Sequence, residues 1–176
     1  MKKNVLVFGS IAGLVVALLM MASMIYYHYH PDFEGGMIVG YASMLLAFSF
    51  VFVGIKNFRD KYNDGLISFG KAFRVGLYIM LIASTIYVLV WLVEYYCFMP
   101  DFMDKYVQHA LEQAKASGFP QSDIDAQAKE MATYVEMYKN PVWVILLTYM
   151  EILPLGLVVV LIAALILKRK GKKVIA

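Results

Sequence analysis

The sequence predicts an all-α, polytopic integral membrane protein. It has four transmembrane helices, both termini on the cytoplasmic side, and an external helical hairpin between helices three and four. Three observations predict this. Apolar residues make up 61% of the 176 positions and charged residues 16%, which is outside globular usage. The apolar excess lies in four runs, 5–27, 36–57, 73–98 and 142–167, each long enough to cross roughly 30 Å of hydrocarbon as a helix. Most of the 16 Lys and Arg stand at alternate ends of these runs, where positive charge keeps a flank in the cytoplasm. They are Lys2 and Lys3, then Lys56, Arg59, Lys61, Lys71 and Arg74, then Lys168, Arg169, Lys170, Lys172 and Lys173. The whole chain, 1–176, reads as a single membrane domain in a bacterial inner membrane.

The net charge of +3 and the pI of 8.8 do not imply nucleic acid. The cations are topology determinants, and they suit anionic lipid head groups at the cytoplasmic ends. Run one follows Lys2 and Lys3 as a signal peptide would. It is longer than a signal core of about 7–15 residues, and Ala22-Ser23-Met24 is a poor cleavage site. It therefore reads as a retained span. Small residues at helical spacing, Gly9 with Gly13 and Gly36 with Gly40, Ser43, Ala47 and Gly54, let backbones approach closely. Packing of helix one on helix two is the expected use; a homo-oligomer face is the other.

The first outer connection contains Tyr26, Tyr27 and Tyr29, an interfacial belt. It also holds His28, His30, Asp32 and Glu34. In an extended segment these alternate residues point to one side, which makes them weak candidates for a metal site. Pro31 interrupts the run, and the spacing is not that of structural zinc. No metal and no cofactor is therefore expected. The inner connection closes with the turn signal Asn63-Asp64-Gly65. Beyond it, Lys71 and Arg74 can snorkel to head groups.

Three stretches carry a resemblance: Gly40-Tyr41 with Met44 and Phe48; Gly54-Ile55-Lys56 with Phe58-Arg59-Asp60; and Ile67-Ser68-Phe69-Gly70-Lys71-Ala72-Phe73 with Gly76. In these the chain resembles a bacterial membrane family known only as domain of unknown function 4199. The resemblance covers nearly the whole chain and implies a four-helix integral membrane protein. It implies no activity, cofactor or catalytic residue.

Run three is followed by the one sizeable polar segment, 101–139. Phe102, Tyr106, Val107, Ala110, Leu111 and Ala114 follow the helical period. Ser117-Gly118-Phe119-Pro120 stops that helix. A second helix is expected after Ser122, whose hydroxyl can cap it. Its apolar positions are Ile124, Ala128, Met131, Val135 and Tyr138. Two such helices make a hairpin outside the membrane, each with one apolar face to cover. Mutual packing is the default, and a protein partner is the alternative. Cys97, the single cysteine, has no internal disulfide partner and reads as a buried apolar thiol.

Two carboxylates lie within the spans. Gly76, Met80, Ser84, Tyr87, Trp91 and Glu94 recur at four and three, a polar, small-residue face that should look into a helix bundle. Glu151 stands about 13 Å from the outer end of run four, on a face with Val144, Thr148, Leu155 and Val158. On antiparallel helices the two carboxyls can meet. Pro154 donates no hydrogen bond and frees the carbonyl of Met150. Glu94, Glu151, Thr148 and Pro154 are thus a candidate intramembrane proton or ion site. A central carboxylate costs about 2.5–3.5 kcal/mol, and each Val, Ile or Leu returns roughly 0.3–0.6 kcal/mol. Run four holds 17 Val, Ile and Leu, so one glutamate is tolerated without a function.

No nucleophile–base pair, phosphate loop or metal spacing marks an enzyme. Two functional expectations remain. The first is a structural, scaffolding or regulatory envelope component. The second is a small proton- or cation-linked transporter or channel subunit that uses Glu151 and Glu94.

Overall fold

In lipid, every backbone polar group must be satisfied within the chain, and a helix does this locally. The long apolar runs take that form. The structure is a computed structural model that describes residues 1–30 and 36–169. Among these residues the chain forms six α-helices and no strand. They are α1 (Lys2–Tyr29), α2 (Gly36–Tyr62), α3 (Phe69–Val93), α4 (Phe102–Ala116), α5 (Gln121–Tyr138) and α6 (Pro141–Leu167), with a π-helical turn, Glu94–Phe98, after α3. Four segments, Lys2–Tyr27, Ile38–Tyr62, Phe69–Phe98 and Pro141–Leu167, are long and apolar enough to cross a membrane.

Helix α2 continues to Tyr62 and α3 begins at Phe69, so both extend beyond the apolar runs 36–57 and 73–98. Charge does not stop a helix, and Lys and Arg are good helix formers. Helix α2 ends where Asp64 and Gly65 take left-handed conformations (φ 49° and 73°), the turn expected there. The Gly65 amide donates to the Arg59 carbonyl at 2.9 Å. Ser68 starts α3, its hydroxyl accepting from the Lys71 amide at 3.4 Å.

The chain divides into two compact units, Met1–Leu89 with Tyr149–Ala176, and Val90–Thr148. In the first, α3 touches each of the other three long helices. A Cβ added at Gly9 or Gly13 would meet Ile82 or Ile86 of α3; one at Gly76 would meet Ile55 and Val51 of α2 and Val160 of α6. The small residues of α1 therefore admit α3, while α1 also packs along α2 as expected. A Cβ at Gly54 of α2 would meet Ile79 of α3 and Phe8 of α1, while Gly36 and Gly40 meet nothing within 4 Å. The core is built from Val16, Met44, Phe48, Val51, Ile55, Val75, Ile79, Ile152 and Val160, all nearly inaccessible.

One end of this unit is tied by polar bonds. Asn4 donates to the Gly54 carbonyl at 3.0 Å and accepts from Asn57 at 2.6 Å. Arg59 donates to the Leu167 carbonyl at 3.3 Å, capping the last turn of α6. Ile67 and Arg169 exchange two backbone hydrogen bonds of 2.9 and 2.8 Å. The start of α1, the end of α2, the entry to α3 and the end of α6 thus meet, and with them the basic residues of these ends among the described residues, through Arg169.

In the second unit, α4 and α5 form the expected hairpin. Gly118 (φ 74°) supplies the left-handed residue that closes α4, and the Phe119 amide returns to the Ala114 carbonyl at 3.2 Å. The start of α5 differs from the expectation. It begins at Gln121 after Pro120, and the Ser122 hydroxyl turns to the Asp123 carboxylate instead of capping. Pro120 takes the N-cap position (φ −56°, ψ 145°), so the helix starts two residues earlier than expected and without a side-chain cap. Met103, Ala114 and Ile124 are buried. The remaining stripe residues, Phe102, Val107, Ala110, Leu111, Ala128, Met131, Val135 and Tyr138, are half-buried, and Tyr106 is exposed.

Candidate functional site

Glu94 and Glu151 belong to different units, and each has its own surroundings. Glu94 opens the π-helical turn, in which the Met99 amide reaches back five residues to the Glu94 carbonyl at 3.0 Å. Single π turns of this kind are frequent at functional sites. The Glu94 side chain is 8% exposed, and its Oε2 has no hydrogen-bond partner among the described residues. The face that the 4–3 spacing assigned inward is indeed buried at Gly76, Met80, Ser84, Trp91 and Glu94, and Tyr87 is half-buried. Aromatic rings accompany Glu94 in its unit. Trp91 meets Phe102 edge to face at 5.1 Å, and Tyr95 meets Tyr138 at 5.3 Å between centroids. Tyr96 donates its hydroxyl to the Tyr138 carbonyl at 3.3 Å, tying the turn to the end of α5.

Thr148 is buried, and its hydroxyl donates to the Val144 carbonyl at 2.7 Å. That bond holds the hydroxyl against its own helix.

Glu151 faces outward. The sequence reading turned it toward the bundle; in the structure Val144 and Ile152 take the buried positions, while Glu151, Pro154 and Val158 line the outer face of α6. The physical reason is that α6 is apolar on every side. Periodicity then prefers no face, and close packing decides which residues go in. Gly156 does so here: a Cβ at that position would meet Met80 of α3 and Phe48 of α2. Pro154 lies inside α6, so Met150, 72% exposed, keeps a carbonyl with no i+4 amide donor.

The weak metal candidates fare differently. Helix α1 runs through Tyr29, so His28 belongs to its last turn and is not in an extended segment. His30 caps that helix, stacked on Tyr26 at 4.4 Å with Nδ1 3.2 Å from the Tyr26 carbonyl. Asp32 and Glu34 lie outside the described residues. Among the described residues no three His, Cys, Asp or Glu side chains gather as a metal site would require. Cys97, read as a buried thiol, is exposed on the π-helical turn.

Sequence reasoning missed the Asn4–Asn57 clasp and the π-helical turn. An asparagine next to Val5 in an apolar run was the available signal for the first. Nothing in the sequence 94–98 marks the second.

The family described as "Protein of unknown function (DUF4199)" matches residues 7–169. The chain belongs to that family. No curated protein and no solved structure matches it.

Proposed function

We propose that this member of the DUF4199 family is an envelope component of structural, scaffolding or regulatory type. Its four long helices form a bundle in a bacterial inner membrane, with both termini cytoplasmic. The basic end contacts anionic lipid, and the α4–α5 hairpin meets a protein partner outside. The observation that carries this reading is the hairpin's apolar stripe, which the two helices cover only in part. Phe119, Tyr106 and Tyr134 are exposed, and Val107, Ala110, Leu111, Ala128 and Met131 are half-buried. Aromatic groups left open beside charged neighbours are the surface that protein interfaces use. The basic end supports the orientation, because Lys56, Arg59, Lys61, Lys71, Arg74, Lys168 and Arg169 gather where four helix ends meet.

The test replaces residues 101–139 with a short Gly/Ser linker and compares proteins that co-purify from native membranes. A partner should be retained by the full chain and lost by the deletion. It should also be retained by a Glu94→Gln, Glu151→Gln double variant. An unchanged set of co-purifying proteins would count against the reading.

A second reading is a proton- or cation-linked transporter or channel subunit. The buried, unpartnered Oε2 of Glu94 favours it, since intramembrane acids often mark ion paths. Its test is flux in proteoliposomes. If the carboxyl carries the ion, Glu94→Gln and Glu151→Gln each abolish coupled flux and leave insertion intact.

A further inference from the structure

We infer that the outer face of α6 docks a second copy of this chain, with the two Glu151 carboxyls hydrogen-bonded to each other at the contact. The inference starts from Glu151, which points away from its own helices near the middle of the 27-residue helix Pro141–Leu167. Left facing hydrocarbon, a carboxyl there keeps donor and acceptor positions that lipid tails cannot satisfy. Water lies more than two helical turns away in either direction along α6.

The choice of occupant follows from depth and chemistry. Two copies inserted the same way round hold Glu151 at the same depth, so a second copy brings a matching group to the level of the first. A neutral carboxylic acid is both donor and acceptor. Across a two-fold axis each acid can donate to the other, the reciprocal arrangement an isologous contact requires. The Met150 carbonyl, freed by Pro154 and belonging to a residue 72% exposed, offers a further acceptor beside the pair.

The face is also shaped for a helix. Glu151, Pro154, Val158, Leu161 and Leu165 are all exposed and follow one another at three, four, three and four. That spacing is the seam of two helices that wind around each other, and one polar residue in such a seam fixes its register. The apolar members alone would single out no face, because α6 is apolar all round. The carboxyl singles it out.

This contact uses only residues of α6 beyond Tyr149, so it stands or falls separately from the hairpin reading. The experiment measures self-association of the full chain in liposomes by energy transfer between labelled copies, over a series of protein-to-lipid ratios. Glu151→Gln, which keeps a donor and an acceptor, should associate as the parent does. Glu151→Leu should associate roughly 5- to 30-fold more weakly, the range expected for one interhelical polar contact in lipid. In a Cys97→Ala chain, Val158→Cys should form an oxidative cross-link between copies, and Leu18→Cys on the exposed face of α1 should not. Replacing 101–139 with a linker should leave the association in place. Association unaffected by Glu151→Leu would overturn the proposal. So would cross-linking at residue 18 with none at 158, which would show a different contact.

Discussion

Asn4 is 3% exposed, and its amide bonds both a backbone carbonyl and the Asn57 side chain of α2. Polar contacts between membrane helices contribute about 1 kcal/mol, so Asn4→Ala should lower stability by about that amount. Thermal unfolding in mild detergent reads it, and Asn57→Ala should cost no more when added to Asn4→Ala. Gly13 is a steric counterpart. A Cβ there would lie 2.5 Å from Ile86, so Gly13→Val should destabilise by roughly 1–3 kcal/mol through overpacking. Gly40→Val, in open space, should change little in the same assay. At this scale the sequence was legible in some places and silent in others. The inward face of Glu94 could be read, because polar and small residues broke the symmetry of α3. The outward face of Glu151 could not, because 17 Val, Ile and Leu surround it and no side of α6 differs in hydropathy. The Asn4–Asn57 bond joins residues 53 positions apart, a pairing that no local pattern encodes.

The elements were the most legible level, because lipid leaves a long apolar run few alternatives to a helix. Their ends were less so. Helices α2 and α3 extend into charged sequence, and the break after α3 is a π turn that keeps the chain helical through Phe98. The hairpin was readable from Gly118 and Pro120, since glycine closes a helix and proline opens one. Its left-handed Gly118 (φ 74°) gives a direct expectation. Gly118→Ala should cost about 1–2 kcal/mol, the penalty of that conformation for a residue with a Cβ. Hydrogen exchange should then show faster opening of the α4 and α5 amides, with α1 and α2 unchanged. A hairpin equally protected in both proteins would argue against the Schellman-type closure at Phe119.

At the scale of the molecule, two compact units divide the work. One is rich in apolar surface on its outward faces, with Leu14, Leu18, Leu46, Val53, Leu89 and Ile166 among the exposed residues. That suits lipid and would be unfavourable in water. The other carries the charged hairpin. The polar ties among Asn4, Asn57, Arg59, Ile67, Leu167 and Arg169 fix which helix ends lie together, and the positive charge there is the ground for the proposed cytoplasmic side. The central claim is that these ends are cytoplasmic and the hairpin is outside. It is tested most directly by labelling intact cells with a membrane-impermeant thiol reagent, using single cysteines in a Cys97→Ala chain. A cysteine at Gly118 should label at once, and cysteines at Asp64 and Lys168 should label only after the membrane is permeabilised. Labelling of 64 and 118 from the same side of the intact membrane would contradict the account.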